Sequence, residues 1–274
     1  MRMLTVISAA LVALGAALSG AALAQNTSLR GLNTENDARV WQAVGRLDLG
    51  GGFCTGTLIA PDLVLTAAHC AYDKRTGAPR AAIDITFRAG LTHGTAAADR
   101  RVAQIEAHKG YQPSAPHNGQ NIRHDVALMR LEEPIPTFEI DPFTVFSGNV
   151  PPGPVSVVSY GRGRSDNLSR QNQCQVLGQR DRLIAVDCDV TFGSSGSPVF
   201  THLNGRGQIV SVISGGGNYG GQDVAFGMAL PQLVSDLKRQ MRANKPRPKA
   251  QVRRLGVGSN KSSTGAKFVS AKGS

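Results

Sequence analysis

The sequence predicts an all-β protein, a sandwich or barrels, closed by one C-terminal helix, and three observations carry that expectation. Short apolar runs rich in Val, Ile, Leu and Thr recur between Trp41 and Leu230, separated by Gly, Pro, Asn and Asp. Helical period is clear only in "LPQLVSDLKRQMRA", where Leu230, Leu233, Val234, Leu237 and Met241 share one face. The proline-rich stretch from Glu132 to Pro154 lacks strand period, so it reads as a linker dividing the body into two β units near Ile140.

In chain order, the first unit holds "WQAVGRL", "GTLIAPDLVLTAA", "AAIDITFRAG", "RRVAQIEAH" and "DVALMRL", and covers about residues 40–135. The second holds "GPVSVVSYG", "CQVLGQR", "LIAVDCDV", "SPVF", "QIVSVISGG" and "VAFGMAL", over about 150–230, with the helix from about 230. No repeat period of solenoid or propeller type is present.

The two ends have different composition. Residues 1–24 read as a secretory signal: Arg2 gives the positive start, "VISAALVALGAALSG" the apolar run and Ala22-Leu23-Ala24 the small-residue cleavage site. The expected mature chain begins at Gln25, is exported to a periplasm or the extracellular space, and has no transmembrane anchor, since the run is short for a span. About 250 residues are enough to bury a real core. The net charge of +11 is localised: Lys238 to Ser274 holds eleven Lys and Arg and no acid, leaving 19 of each sign before it. Residues 243–274 therefore read as a basic disordered tail that suits an anionic envelope or polymer, and the neutral body gives no reason to expect specific nucleic-acid binding. Four cysteines, Cys54, Cys70, Cys174 and Cys188, in an exported chain without CxxC point to two disulfides, although four cysteines allow three connectivities.

Chemistry gathers at three places. "CTGTLIAPDLVLTAAHC" delivers His69 just past a strand, with Cys54 and Cys70 set to clamp its turn. "RHDVALMRLEEP" places Asp125 at the start of an apolar run, where a carboxylate entering the core needs a partner such as an imidazole N–H; neighbouring His124 is a weaker candidate base. "CDVTFGSSGSPVF" sets Gly193 and Gly196 around Ser195, a backbone able to turn sharply and aim N–H groups into one volume. His69, His93, His108, His117, His124 and His202 show no HExxH or similar spacing, so a metal hydrolase is not expected.

On "TAAHC", "DVALMRL", "SYGRG" and "GSSGSP", in that order, the chain resembles the trypsin-like (chymotrypsin-fold) serine peptidases over roughly Trp41 to Leu237. The resemblance implies two six-stranded antiparallel β-barrels with a cleft between them, and a peptidase domain over 25–237. It implies Ser195 as nucleophile, His69 as general base and acid, Asp125 as its orienting partner, and an oxyanion hole from the N–H groups of Gly193 and Ser195. It also implies substrate contacts along Ser214, Gly215 and Gly216, Cys174 and Cys188 as a second-barrel disulfide, a protein or peptide substrate, and no cofactor or metal. Asp189, six residues before Ser195, stands at the offset where trypsin keeps the acid of its specificity pocket.

Two departures matter. Ser194 replaces the Asp that pairs with a freed N-terminus in the digestive enzymes, and no Ile-Val-Gly-Gly start exists, so activation by N-terminal insertion is not expected. With Ser197-Pro198 these features resemble the bacterial V8-like branch that includes the glutamyl endopeptidases, yet "VSVISGGG" lacks the histidine associated with glutamate specificity. The expected activity is that of a secreted serine endopeptidase; the alternative is a catalytically weak protease-fold binding protein docking to anionic surfaces through its tail. The sequence is silent on oligomeric state.

Overall fold

A computed structural model describes residues 27–151, 153–202 and 205–245. The signal over 1–24 and the tail beyond residue 245 lie outside the described residues.

The chain enters along the outside of what will become its second half. Strand β1 (Arg30–Gly31) pairs antiparallel with a strand far ahead in sequence, Arg30 opposite Arg170 and Gly31 opposite Ser169. Helix α1 (Glu35–Arg39) follows, its first turn capped by Thr34, whose hydroxyl oxygen accepts the Asp37 N–H at 3.1 Å. Six strands then close on themselves: β2 (Val44–Asp48), β3 (Phe53–Ala60), β4 (Leu63–Thr66), β5 (Thr86–Ala89), β6 (Ala98–Ala107) and, after the short helix α2 (Gly119–Ile122), β7 (Ala127–Leu131). Their order is β2-β3-β4-β7-β6-β5, with β5 returning to β2. Alternation along β2 and β5, with Leu47 opposite Phe87 and Gly45 opposite Ala89, sets Leu47, Phe87 and Ala89 on one face, and these with Val44, Leu58, Leu65, Leu128 and Met129 are essentially inaccessible to water.

The second barrel contains β8 (Pro154–Gly161), β9 (Arg164–Arg180), β10 (Leu183–Val186), β11 (Pro198–Thr201), β12 (Gln208–Tyr219) and β13 (Gln222–Ala229). Its ring runs β9-β10-β13-β12-β11-β8 and closes because β8 also pairs with β9; β1 is a seventh strand laid on that ring. The fold is therefore two six-stranded antiparallel barrels. Strand β9 is far longer than its apolar segment "CQVLGQR" suggests, because its first half, "RSDNLSRQN", is polar and held by ladder bonds to β8 and β1 rather than by a buried apolar face.

The linker does more than connect. Its Phe143 stacks on Trp41 at 5.7 Å and lies 4.6 Å from Phe200 of β11, so three aromatic rings from three segments fill the junction between barrels. Buried Tyr160 on β8 adds a polar tie, donating its hydroxyl to the Leu91 carbonyl at 2.9 Å.

Helix α3 (Pro231–Ala243) starts with proline at its first turn and buries Leu233, Val234, Leu237 and Met241. It leaves the second barrel but packs against β6 and β7 of the first. Gln104 of β6 donates to the Met241 and Asn244 carbonyls at 3.1 and 3.3 Å, satisfying acceptors that a helix end leaves open. Glu106 accepts from Gln240 at 2.7 Å and Asn244 at 3.0 Å.

Candidate active site

The cleft between the barrels collects residues from six separate segments. Strand β4 delivers the chain into a 3₁₀ turn, Ala68–Ala71, and a disulfide joins Cys70 in that turn to Cys54 on β3. His69 is thus held by a covalent tie to the barrel wall. Closing a loop of this length contributes on the order of 3 kcal/mol in the chain-entropy account.

Asp125 arrives from the other side. Asn118 caps α2 by accepting from the N–H groups of Gln120 and Asn121, and the turn leaving that helix drops Asp125 into the protein, 1% exposed. Its carboxylate is fully engaged. Oδ1 accepts the His69 backbone N–H at 2.8 Å, while Oδ2 lies 2.8 Å from His69 Nδ1 and accepts the Ser214 hydroxyl. Burial alone would raise this carboxyl's pKa; electrostatic attraction to the His69 ring and the three hydrogen bonds outweigh it and hold the group below its ordinary value. A proton on Nδ1 pointing at Oδ2 leaves Nε2 as the free ring nitrogen. His124 stands outside this arrangement, its ring stacked on His108 at 5.0 Å.

The serine loop is bound from beneath. Thr55 of β3 donates its N–H to the Ser195 carbonyl at 2.8 Å and its hydroxyl to the Gly193 carbonyl at 2.9 Å, and Gly196 N–H donates to Ile213 at 2.7 Å. Gly193 and Gly196 have φ of +95° and +83°. A Cβ at Gly193 would run into the Phe53 ring, and one at Gly196 into the Thr55 carbonyl and the Thr66 hydroxyl, so glycine is required at both. Among the described residues no group accepts from the N–H of Gly193 or Ser195.

Ser194, fully buried, donates to the Tyr160 carbonyl at 3.0 Å and accepts from the Thr191 N–H at 3.3 Å and from Arg164 at 3.2 Å. Arg164 also donates to the Ser159 carbonyl and hydroxyl. Burial lowers the Arg164 pKa to about 10, the charge of Asp189 opposing the shift. A guanidinium reaching back from the start of β9 therefore braces the serine loop. Arg164→Ala is expected to lower stability by about 2–3 kcal/mol, since Ser159 loses its donors inside the protein, and urea unfolding at unchanged m-value checks it.

His69 and Ser195 both line two halves of the cleft. One half, about 640 Å³, is bounded by Val190, Thr191 and Phe192 opposite Ser214, Gly215 and Gly216, with Tyr111 and His117 at its side. Burial lowers the His117 pKa, with Asp125 opposing that shift. The other half, about 480 Å³, lies on the Cys54–Cys70 side.

Asp189 corrects the sequence expectation. It is exposed, does not line either half of the cleft, and its N–H donates to Gln171 of β9 at 2.6 Å. The physical reason is the second disulfide, Cys174–Cys188, which together with the Asp187 N–H bonded to the Gln175 carbonyl draws residues 187–189 along β9, away from the cleft floor. Ser214 both lines the cleft and holds Asp125, which binding alone did not anticipate. His117, Tyr111, Lys74 and Phe192 were missed by sequence reasoning; they sit in loops without period, and only Phe192, a large apolar residue beside a glycine turn, carried any signal. Cys54, His69 and Cys70 bring ligand-type atoms within 4.8 Å of one another, but both sulfurs are consumed in the disulfide and provide no thiolate for a metal.

A family model described as Trypsin matches residues 30–232. The chain is 24% identical over 208 residues to a glutamyl endopeptidase of Bacillus licheniformis, covering 74% of this chain and 64% of that protein. It is 30% identical over 152 residues to serine protease SP24D of Anopheles gambiae, covering 53% and 52%. It thus spans less than two thirds of either relative's length. Among solved structures, that of a Glu endopeptidase in complex with MPD superimposes with a TM-score of 0.64 at 20% identity, over 77% of this chain and 95% of that one.

Proposed function

Since this chain belongs to the trypsin family of serine peptidases, we propose that it is an exported serine endopeptidase working through Ser195, His69 and Asp125. The observation that carries the proposal is the His69–Asp125 couple, closed by Ser214, opening onto the same cleft as Ser195 and two unengaged N–H groups.

In this scheme His69 Nε2 takes the Ser195 hydroxyl proton as the oxygen attacks the peptide carbonyl. The negative charge that develops on the carbonyl oxygen is received by the Gly193 and Ser195 N–H groups, each worth about 3 kcal/mol in such a site. His69 then protonates the leaving amine, and water resolves the acyl-enzyme by the same steps reversed. Asp125 holds the tautomer and stabilises the imidazolium. Extended substrate pairs with β12 along Ser214–Gly216 as an added strand. No step calls on a metal or cofactor. Export from a signal at 1–24 is supported by the two disulfides. The acyl-side half is lined by no acid and by one cation, Lys74, so Lys and Arg are not favoured at the residue before the cut.

A fluorophosphonate is expected to label the native protein once, with the adduct on the peptide containing Ser195. No adduct, or one on another serine, would refute the proposal.

A further inference from the structure

The leaving-group half of the cleft has a charge pattern that the hydrolytic scheme leaves unused. Beyond His69 and Ser195, on the Cys54–Cys70 side, its ionic lining consists of Lys74, Arg80 and Arg162, with no Asp or Glu. Arg80 is partly spent: it donates to the Leu49 carbonyl at 2.8 Å and lies 3.8 Å from the Asp73 carboxylate. Lys74, which with Phe192 stands at the boundary and lines both halves, and Arg162, which lines this half and not the other, have no ion-pair partner among the described residues.

Both cations are placed by Phe192, the residue before the oxyanion glycine. Phe192 is 61% exposed at the cleft mouth, and Lys74 Nζ sits 5.3 Å from its ring centroid and Arg162 Cζ 4.3 Å. Cations held over an aromatic ring are positioned while keeping their charge available. The Arg162 backbone N–H also donates to the Phe192 carbonyl at 2.8 Å, which ties the backbone of Arg162 to the serine loop. A peptide that pairs with Ser214–Gly216 and passes Ser195 must continue into this half, carrying its first residues after the cut past Lys74 and Arg162.

Resting on the peptidase reading, we propose that this half is a subsite for acidic side chains, so that Asp or Glu in the first two positions after the scissile bond is selected. A carboxylate there meets two cations without a competing acid, whereas Lys or Arg meets only like charge.

The test uses three peptides identical up to the cut and carrying Glu, Gln or Lys in those two positions, with kcat/KM measured on the full-length mature protein. The Glu peptide is expected to exceed the Lys peptide by about tenfold, equivalent to about 1.4 kcal/mol, with Gln between them and the gap narrowing at 0.5 M salt, an arm chosen for screening. The double change Lys74→Glu with Arg162→Glu is expected to reverse the order. Lys74→Gln and Arg162→Gln, on exposed side chains, should each narrow it if the double variant does not fold. Each protein is scored by the ratio between its own substrates, so a general loss of rate cancels. Equal rates for the three peptides, or an order kept in the variants, overturns the subsite while a Ser195 adduct still forms. Absence of both cleavage and adduct overturns the peptidase reading and the subsite with it.

Discussion

Ser195→Ala is expected to lower kcat on the order of 10⁶-fold while KM changes little and the circular dichroism spectrum not at all. The size follows from what is removed. Without the hydroxyl no acyl-enzyme forms, so His69 and Asp125 have no proton to move, and the couple contributes nothing. What persists is carbonyl polarisation by the Gly193 and Ser195 N–H groups and the orientation of bound peptide, both of which survive because the loop is held by Thr55 and Ile213 through its backbone. Residues that act as a unit are not additive. Ser195→Ala combined with His69→Ala should therefore lose no more than about threefold beyond the single change. Steady-state kinetics on one peptide decides it: a double variant losing a further factor of 10³ would mean that His69 works independently of Ser195.

Asp125→Asn is expected to cost about 10⁴-fold in kcat with a much smaller change in KM. The carboxylate is acceptor-only, and all three of its contacts are donations from His69 and Ser214. An amide in its place keeps the shape but has a donor on one side. If the amide oxygen keeps the His69 backbone N–H, its NH₂ faces Nδ1, which must then be unprotonated, and the ring proton moves to Nε2, where the base is needed. If the amide flips, the NH₂ meets the His69 backbone N–H. The first arrangement loses the working tautomer, while the second keeps it only by setting two buried N–H donors against each other; the first is therefore favoured and activity falls. A variant retaining more than a tenth of the wild-type kcat would remove Asp125 from the mechanism.

Much of this arrangement was legible in the chain because its determinants are local. His69 beside Cys70, Ser195 between two glycines and Asp125 opening an apolar run are each set by a few neighbouring residues. The barrels were legible as strands through their apolar runs, whereas closure depends on pairings such as β8 with β9 and β2 with β5, which no local pattern states. Asp189 misled for a related reason. Its spacing from Ser195 is a one-dimensional fact, but its position depends on the Cys174–Cys188 bond and on the polar first half of β9, where Gln171 takes its N–H. Ser194 was read correctly as unable to make an ion pair; that a distant Arg164 would brace it required two turns to meet in space.

Each barrel also receives one end of the chain from the other. The entering segment, with Thr27 bonded to Gln173 and Leu32 to Leu168, lies on the second barrel before the first is built, and α3 leaves the second barrel to pack on the first. Separating the barrels would strip both ends at once, with the Trp41–Phe143–Phe200 junction opened as well. Widening the cleft by moving the barrels apart would therefore break all of these contacts together. On the proposed peptidase reading the adaptation then falls to the target protein: stretches already unfolded or readily pulled straight are expected to be cut, and compact domains presenting the same residues to be spared.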